Sequence, residues 1–451
     1  MNTTDEPAVE QNGYVRKRNR LLQQAGFYSP AVKGAPSTTR QTEILNPGVL
    51  AAPTNFEGIL IGEDTLSKTA VAHDALTAYR RGIVDSPNVC TIGDVGAGKS
   101  SLTKSVYVLR PLLLQGRRCV VIDKKLQEGQ GEYTPVANAF GIDPIRMVIG
   151  DAGYRLNLLD PALQGGDKGG GMLGVLLATT QILNDEVPLD AWEKKALRVA
   201  LRRAMAHAEA EERTQVIADV HGYLGDVDGD WFRQMRESAK DRMHEAGLTV
   251  AFLLERMFDE MPGLFDGETS KAVSLDRKLT VFDIAALPEA GQSIPIAMML
   301  INAWTLGTIK QNPGKFTTNF NVEEGWFLVG GPMGQVLRSN SKLARALGMS
   351  VYANLHHISD IPVDDPAIAF IKEAETLHLF RQAKADDAQL AAQIAGLRPG
   401  AAEALMTLPN GHHFLKVGRQ AEVRVRHVRS PLETELTDSD GALTLGKKRA
   451  A

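Results

Sequence analysis

Short apolar runs recur along the chain, separated by stretches in which apolar residues return at helical spacing. Mostly apolar runs of strand length lie at 58–62, 89–92, 117–125 and 278–288. The run within 117–125 has no polar interruption at its centre, which is typical of a strand that is buried on both faces of a parallel sheet. Because strands and helices alternate here, we predict an α/β layer fold with a mostly parallel sheet.

The pattern changes after residue 161, where a glycine-rich stretch precedes a long helical region. The stretch at 164–171 reads QGGDKGGG and lacks a following Lys-Ser or Lys-Thr, so we interpret it as a hinge or flexible turn. Residues 188–212 then carry apolar side chains at helical spacing with charges between them. No strand pattern follows until about residue 278, which predicts a helical subdomain at 165–275.

These changes divide the chain into five segments. The first is polar, rich in Pro, Gly, Ser and Thr, and too poor in apolar surface to order itself. The α/β core is expected in two parts on either side of the helical subdomain. The predicted segments are a mobile arm at 1–54, the core at 55–164 and 276–430, the helical subdomain at 165–275, and a disordered tail at 431–451.

Composition limits the class of protein. The chain has 451 residues, of which 43% are hydrophobic, so it can bury a large core and form more than one compact unit. A net charge of −4 argues against a surface that binds nucleic acid everywhere, although a local basic groove is compatible with it. No secretory signal and no apolar stretch of spanning length is evident, so we expect a cytoplasmic protein without an integral membrane segment.

A phosphate-binding motif follows the apolar run at 89–92. The sequence from Gly93 to Ser100 fits G-x-x-x-x-G-K-S and lies between a predicted strand and a predicted helix, as a P-loop requires. Backbone N–H groups and the helix N-terminus would then point at one anion, with Lys99 at the β- and γ-phosphates and Ser100 on Mg²⁺. The alternative is a plain strand-to-helix turn. The predicted nucleotide-binding residues are Gly93, Asp94, Val95, Gly96, Ala97, Gly98, Lys99, Ser100 and Ser101.

Hydrolysis also needs a carboxylate near the metal and usually a second one that orients water. Three strand ends supply acids: Asp123, Asp283 and the pair Glu323–Glu324. Only the pair offers two adjacent carboxylates, so we assign Glu323 to Mg²⁺ and Glu324 to the attacking water. The alternative is that both are solvated residues at the end of a strand.

The order of these motifs resembles the ATPases of type IV secretion and conjugation systems, the VirB-type energisers of the HerA–FtsK superfamily. Besides the P-loop, the resemblance includes VIDKKLQEGQGEY from residue 121, LNLLD at 156–160, VFDIAAL at 281–287 and EEGW at 323–326. It runs from about residue 58 to 418. At 323 the family usually has Asp, and the segment before residue 58 is shorter than the family's usual N-terminal domain.

The resemblance implies a RecA-like core with an inserted helical subdomain, ATP and Mg²⁺ as cofactors, and a homo-oligomeric, hexameric ring. In this superfamily an arginine from a neighbouring subunit completes each site; Arg345 and Arg381 are the candidates, and Lys342 could share the role. His356 occupies the position of a nucleotide-sensing residue that is commonly Gln. Membrane secretion-channel subunits are the implied partners, with the ring lying peripherally at the inner face of the cell membrane.

The sequence therefore predicts an ATP-hydrolysing motor of a conjugation or type IV secretion-like apparatus. Two alternatives stay open. A HerA- or FtsK-like translocase of duplex DNA would use the same chemistry, and a nucleotide-gated scaffold would bind ATP without turnover.

Overall fold

A computed structural model describes residues 57–150, 153–164, 171–229, 232–314, 316–323, 345–355 and 366–438. Thirteen strands lie within these ranges, and all but β5 and β6 belong to one sheet. They are β1 Ile59–Asp64, β2 Ala70–His73, β3 Val89–Ile92, β4 Arg117–Asp123, β5 Leu126–Gln127, β6 Gln130–Gly131, β7 Ile145–Arg146, β8 Leu279–Asp283, β9 Thr317–Val322, β10 Met349–Leu355, β11 Thr376–Leu379, β12 His412–Val417 and β13 Val423–His427.

The sheet has eleven strands in the order β2-β1-β13-β12-β11-β3-β10-β9-β4-β8-β7. From β11 to β7 every neighbouring pair is parallel. The strands from β2 to β12 pair antiparallel and extend the other edge. Strands β4 and β10 are buried along their whole length, as expected for the interior of a parallel sheet. The predicted α/β fold with a mostly parallel sheet is confirmed.

The described helices flank the sheet or form the insert. They are α1 Ala75–Arg80, α2 (α-helical at Lys99–Leu102, π-helical at Thr103–Leu109, α-helical at Arg110–Leu112), α3 Thr134–Ala139, α4 Met172–Leu183, α5 Ala191–Ala210, α6 Ile217–Tyr223, α7 Glu237–Glu260, α8 Ser293–Gln311, α9 Pro366–Glu373, α10 Ala385–Ala395, α11 Ala401–Met406 and α12 Pro431–Thr437; a 3₁₀ turn spans Pro161–Leu163.

Between β7 and β8 the described residues form no strand, and the insert consists of helices α4 to α7 joined by turns and loops. Helix α5 begins at a capping box, in which Asp190 accepts the backbone N–H of Glu193 and Glu193 accepts that of Asp190. Helix α8, buried along most of its circumference, lies in the same apolar core as the insert helices and strand β9. One continuous core therefore joins the insert to the sheet.

The structure differs from the sequence-based expectation at the C-terminus. We expected a disordered tail from residue 431, but Pro431–Thr437 forms helix α12, capped by Ser430. The helix is tied to α2 through Arg110 and Glu433, whose Nε and Oε1 are 2.6 Å apart. Seven residues are too few for a stable isolated helix, so the sequence pattern does not predict α12; its capping box and its contacts with α2 and α3 stabilise it. The predicted arm at 1–54 lies outside the described residues, as do 439–451.

Candidate nucleotide site

The predicted P-loop leaves strand β3 and enters helix α2. At Gly93 a β-carbon would lie 2.5 Å from Cβ of Phe380, so no larger residue fits between the loop and the end of β11. Gly98 precedes α2 with φ of 108°, a conformation that favours glycine. The loop therefore needs glycine at position 93, where the chain leaves the strand, and at position 98, where the helix begins.

Lys99 is the first residue of α2, and its side chain is buried against the loop. Its Nζ donates to the carbonyl oxygens of Gly93 at 2.5 Å and Asp94 at 2.8 Å. Burial lowers the pKa of Lys99 to about 8, while the charges of Glu323 and Asp94 act in the opposite direction. The ammonium is therefore held inside the curve of the loop, where a P-loop lysine meets phosphate.

The other predicted loop residues lie in the same turn. Asp94 donates its backbone N–H to the carbonyl of Arg381 at 2.9 Å, and its carboxylate accepts the N–H of Ala383 at 2.8 Å. Val95 is 75% exposed at the tip, and Ser100 is half-buried at the second position of α2. Asp94 thus anchors the loop to the segment after β11.

Glu323 directly follows β9, and its side chain is buried. Its Oε1 accepts the hydroxyl of Tyr133 at 2.6 Å, and its Oε2 accepts Nδ2 of Asn354 at 2.8 Å. Asn354 in turn lies within 3.2 Å of the Thr103 hydroxyl on α2. A chain of hydrogen bonds therefore connects this carboxylate with the P-loop helix.

Several charges act on Glu323. Burial raises its pKa, and the neighbouring Glu132 raises it further. The hydrogen bonds from Tyr133 and Asn354 and the charge of Lys104 act in the opposite direction, but the net shift is upward. Burial and the Glu323 charge also raise the pKa of Tyr133 well above its usual value, so its hydroxyl remains a donor at neutral pH.

Sheet order places the three acidic strand ends at different distances from the P-loop strand. At the usual spacing of about 4.8 Å per strand, Glu323 lies two strands, or about 10 Å, from the P-loop strand, whereas Asp123 and Asp283 lie about 14 and 19 Å away. Asp123 accepts the N–H of Tyr133 at 2.7 Å, and Asp283 accepts that of Gly131 at 3.2 Å. These two acids therefore hold the turn at 131–133.

A buried ion pair lies beside Glu323. Nζ of Lys104, on α2, is 3.0 Å from Oε1 of Glu132, and both side chains are at most 1% exposed. Lys125 approaches the same oxygen to 3.6 Å from the surface. Each of the two charges compensates the other, because either one would be costly to bury without a partner.

The two candidate arginines lie at opposite ends of the parallel strands, Arg345 where the strands begin and Arg381 where they end. Arg345 donates to the carbonyl of Asp85, which precedes β3, at 3.3 Å. It therefore lies at the amino ends of the strands, away from the P-loop of its own chain. Arg381 follows β11 and adjoins the P-loop through the backbone bond to Asp94.

Two predicted site residues lie outside the described part of the chain, and two residues that were not predicted contact Glu323. Glu324 and His356 lie outside the described residues, so their roles stay predictions. Sequence reasoning assigned no role to Tyr133 or Asn354, both of which contact Glu323. The signals were present: Asn354 is a polar residue in an otherwise largely apolar strand, and Tyr133 closes the Gly-Glu-Tyr turn that the family resemblance includes.

The donor set suits Mg²⁺ bound together with a nucleotide. A hydroxyl and a carboxylate are the hard oxygen ligands that Mg²⁺ accepts, and it usually takes one or two such groups plus phosphates and waters. Glu323 is joined to the P-loop helix through Asn354 and Thr103, and its charge opposes the lowering of the Lys99 pKa by burial. Over the described ranges no group of three or more His, Cys, Asp or Glu could hold a metal by itself, which is compatible with such a shared site.

Neither a protein-family model nor a curated protein matches the chain by sequence, whereas solved structures are similar to it. The structure of VirB4 of Thermoanaerobacter pseudethanolicus is similar with a TM-score of 0.67 and 20% identity, covering 84% of this chain and 98% of that one. The plasmid coupling protein TrwB in complex with ADP and Mg²⁺ gives 0.51 and 15%, covering 84% and 96%.

Among the helices that the structure describes, none has both the length and the apolar character to cross a bilayer. Each of the two structural similarities covers 84% of this chain. The chain therefore has the α/β fold of VirB4 and TrwB, and the resemblance to type IV secretion and conjugation ATPases is confirmed at the level of the fold.

Proposed function

We propose that this chain is an ATP-hydrolysing motor. The observation that carries the proposal is the chain of hydrogen bonds from the buried carboxylate of Glu323 through Asn354 to Thr103, on the helix that begins with the buried Lys99. A P-loop lysine facing an acid at the end of a nearby strand is the arrangement that Mg²⁺-dependent phosphoryl transfer requires.

Each residue has a distinct task in this proposal. The loop amides at 93–101 and Lys99 bind and neutralise the phosphates, while Ser100 and Glu323 hold Mg²⁺. When bound, Mg²⁺ supplies charge stabilisation at the phosphate oxygens. Glu324 orients the attacking water, His356 senses the γ-phosphate, and Arg345 or Arg381 stabilises the charge that develops during transfer.

The proposed load is the assembly or the cargo of a conjugation or type IV secretion-like apparatus. Support comes from the fold shared with VirB4 and with TrwB, a bacterial conjugative coupling protein. We propose a homo-oligomeric, hexameric ring at the inner face of the cell membrane, in contact with secretion-channel subunits. Closure at subunit boundaries would convert hydrolysis into movement of loops that line the ring.

Phosphate release from ATP by the purified chain tests the proposal. Replacement of Lys99 by Ala is expected to reduce the rate about 100-fold or more. Lys372 provides a matched control, because it is exposed in the last turn of α9, just before β11 begins and at the end of the sheet away from the P-loop. Lys372→Ala is expected to keep the wild-type rate. ATP hydrolysis that survives in Lys99→Ala would contradict the proposed site.

Two further measurements address the alternatives. Hydrolysis that duplex DNA stimulates with a steep dependence on salt would favour a DNA translocase, because phosphate contacts release counterions. Equal and negligible rates in the wild type and in Glu324→Gln would favour a scaffold that binds nucleotide without turnover.

A further inference from the structure

Glu323 is connected with helix α2 from two sides. Thr103 and Lys104 are consecutive residues of that helix, at the start of its π-helical segment. π-Helical turns inside α-helices are frequent at functional sites. Each of these two residues leads, through one other element, to a different carboxylate oxygen of Glu323.

The first connection passes through strand β10. The Thr103 hydroxyl and the Asn354 amide are within 3.2 Å of each other, and the amide donates to Oε2 of Glu323 at 2.8 Å. All three side chains are buried. This connection fixes one oxygen relative to the P-loop helix.

The second connection passes through the turn at 131–133. Lys104 pairs with Glu132, and the next residue, Tyr133, donates its hydroxyl to Oε1 of Glu323 at 2.6 Å. Lys104 also lies 5.4 Å from the centre of the Tyr133 ring. The same turn is held at its backbone by Asp123, so the tyrosine ring has little freedom to move.

A glutamate is one methylene longer than an aspartate and has one more rotatable bond, so its carboxylate needs external support to keep one orientation. Donors on both oxygens provide that support. We propose that Tyr133 is a positioning residue, which orients the Glu323 carboxylate for Mg²⁺ and is itself fixed by the Lys104–Glu132 pair. This inference rests on the proposed function, in which Glu323 binds Mg²⁺.

The competing explanation is that the Tyr133 hydroxyl only satisfies a buried polar group. Tyr133→Phe keeps the ring and removes one donor. Tyr107 provides a matched control, since it is also a buried tyrosine of the core and its hydroxyl lies 2.5 Å from Nε2 of His378, away from Glu323. A purely structural role predicts similar effects for Tyr133→Phe and Tyr107→Phe.

The experiment titrates Mn²⁺ into the full chain with ADP and follows free Mn²⁺ by electron paramagnetic resonance. Tyr133→Phe is expected to weaken Mn²⁺ binding about tenfold to a hundredfold, as loss of a group that orients a metal ligand does. Binding of ADP in excess chelator is expected to stay unchanged, as is Mn²⁺ binding by Tyr107→Phe. The Mg²⁺ concentration for half-maximal ATP hydrolysis is expected to rise in Tyr133→Phe alone.

Wild-type Mn²⁺ affinity in Tyr133→Phe, or equal losses in both tyrosine variants, would overturn the positioning role. Should Tyr133→Phe fail to fold, the double variant Lys104→Met/Glu132→Gln tests the same role, because it removes the ion pair that fixes the turn and leaves Tyr133 and Glu323 unchanged. Unchanged Mn²⁺ binding by this double variant would also overturn it. Failure of the wild type to bind ADP or hydrolyse ATP would instead contradict the proposed function.

Discussion

Lys104 of helix α2 and Glu132 of the turn before α3 form an ion pair of 3.0 Å in which neither side chain reaches solvent. One partner belongs to the P-loop helix, and the other adjoins the tyrosine that contacts Glu323. The pair therefore links the P-loop helix to the acidic end of the sheet. Its energetic role can be separated from simple packing.

Removal of one partner is expected to be far more destabilising than replacement of both. Lys104→Met leaves the buried Glu132 charge with only the more distant Lys125, at 3.6 Å, and is expected to lower the free energy of unfolding by about 3 kcal/mol. The double variant Lys104→Met/Glu132→Gln buries no charge at these positions and is expected to recover most of that loss. Urea unfolding of the two variants measures the difference; equal stabilities would contradict a compensated pair.

Acid is expected to destabilise the fold through His73, whose Nε2 lies 2.8 Å from the Thr376 hydroxyl. Burial lowers the pKa of His73 to about 4, with Asp74 only partly offsetting the effect. Between pH 6.5 and about 4 the unfolded chain binds a proton that the folded chain does not, so stability falls as the pH falls. The loss from this residue reaches about 3 kcal/mol at pH 4.

Urea unfolding at several pH values measures this dependence. His73→Gln is expected to have a shallower fall in stability between pH 6.5 and 4 than the wild type. His244→Gln, at an exposed position of the insert, serves as the control and is expected to keep the wild-type slope. An unchanged slope in His73→Gln would show that other groups cause the acid sensitivity.

Gly93 and Gly96 are expected to respond differently to alanine. At Gly93 the added carbon meets Cβ of Phe380 at 2.5 Å, whereas at Gly96 it meets nothing within 4 Å. We expect Gly93→Ala to lose about 1–3 kcal/mol through overpacking and Gly96→Ala to lose only about 1 kcal/mol from its backbone conformation. Thermal or urea unfolding compares them, and a greater loss in Gly96→Ala would contradict the contact with Phe380.

Mixing inactive variants distinguishes the two arginines. If Arg345 acts across a subunit boundary, an equal mixture of Arg345→Ala and Lys99→Ala chains is expected to regain up to about one quarter of wild-type ATP hydrolysis, since one interface in four then holds a complete site. Arg381 lies beside its own P-loop, so the corresponding mixture with Arg381→Ala is expected to regain nothing. Activity regained with Arg381→Ala and not with Arg345→Ala would instead assign the role across the subunit boundary to Arg381.

Much of this site could be predicted from local sequence because its features are local. Loop curvature at Gly93 and Gly98, the position of Lys99 at the start of a helix, and the acidic end of β9 all depend on neighbouring residues in the chain. Helix α12 shows the converse, since its seven residues depend on tertiary contacts with α2 and α3 in addition to their capping box.

The sequence by itself determined the alternation of strands and helices, the helical insert and the P-loop, because hydrophobic periodicity and glycine placement act over a few residues. Only the tertiary structure decided which side chains hold Glu323. Tyr133, Glu323 and Asn354 are separated by up to 221 positions in the chain and meet because β9 lies between β10, which carries Asn354, and β4, whose last residue holds the turn with Tyr133. Sheet order is set by the packing of the whole core, which no local pattern encodes.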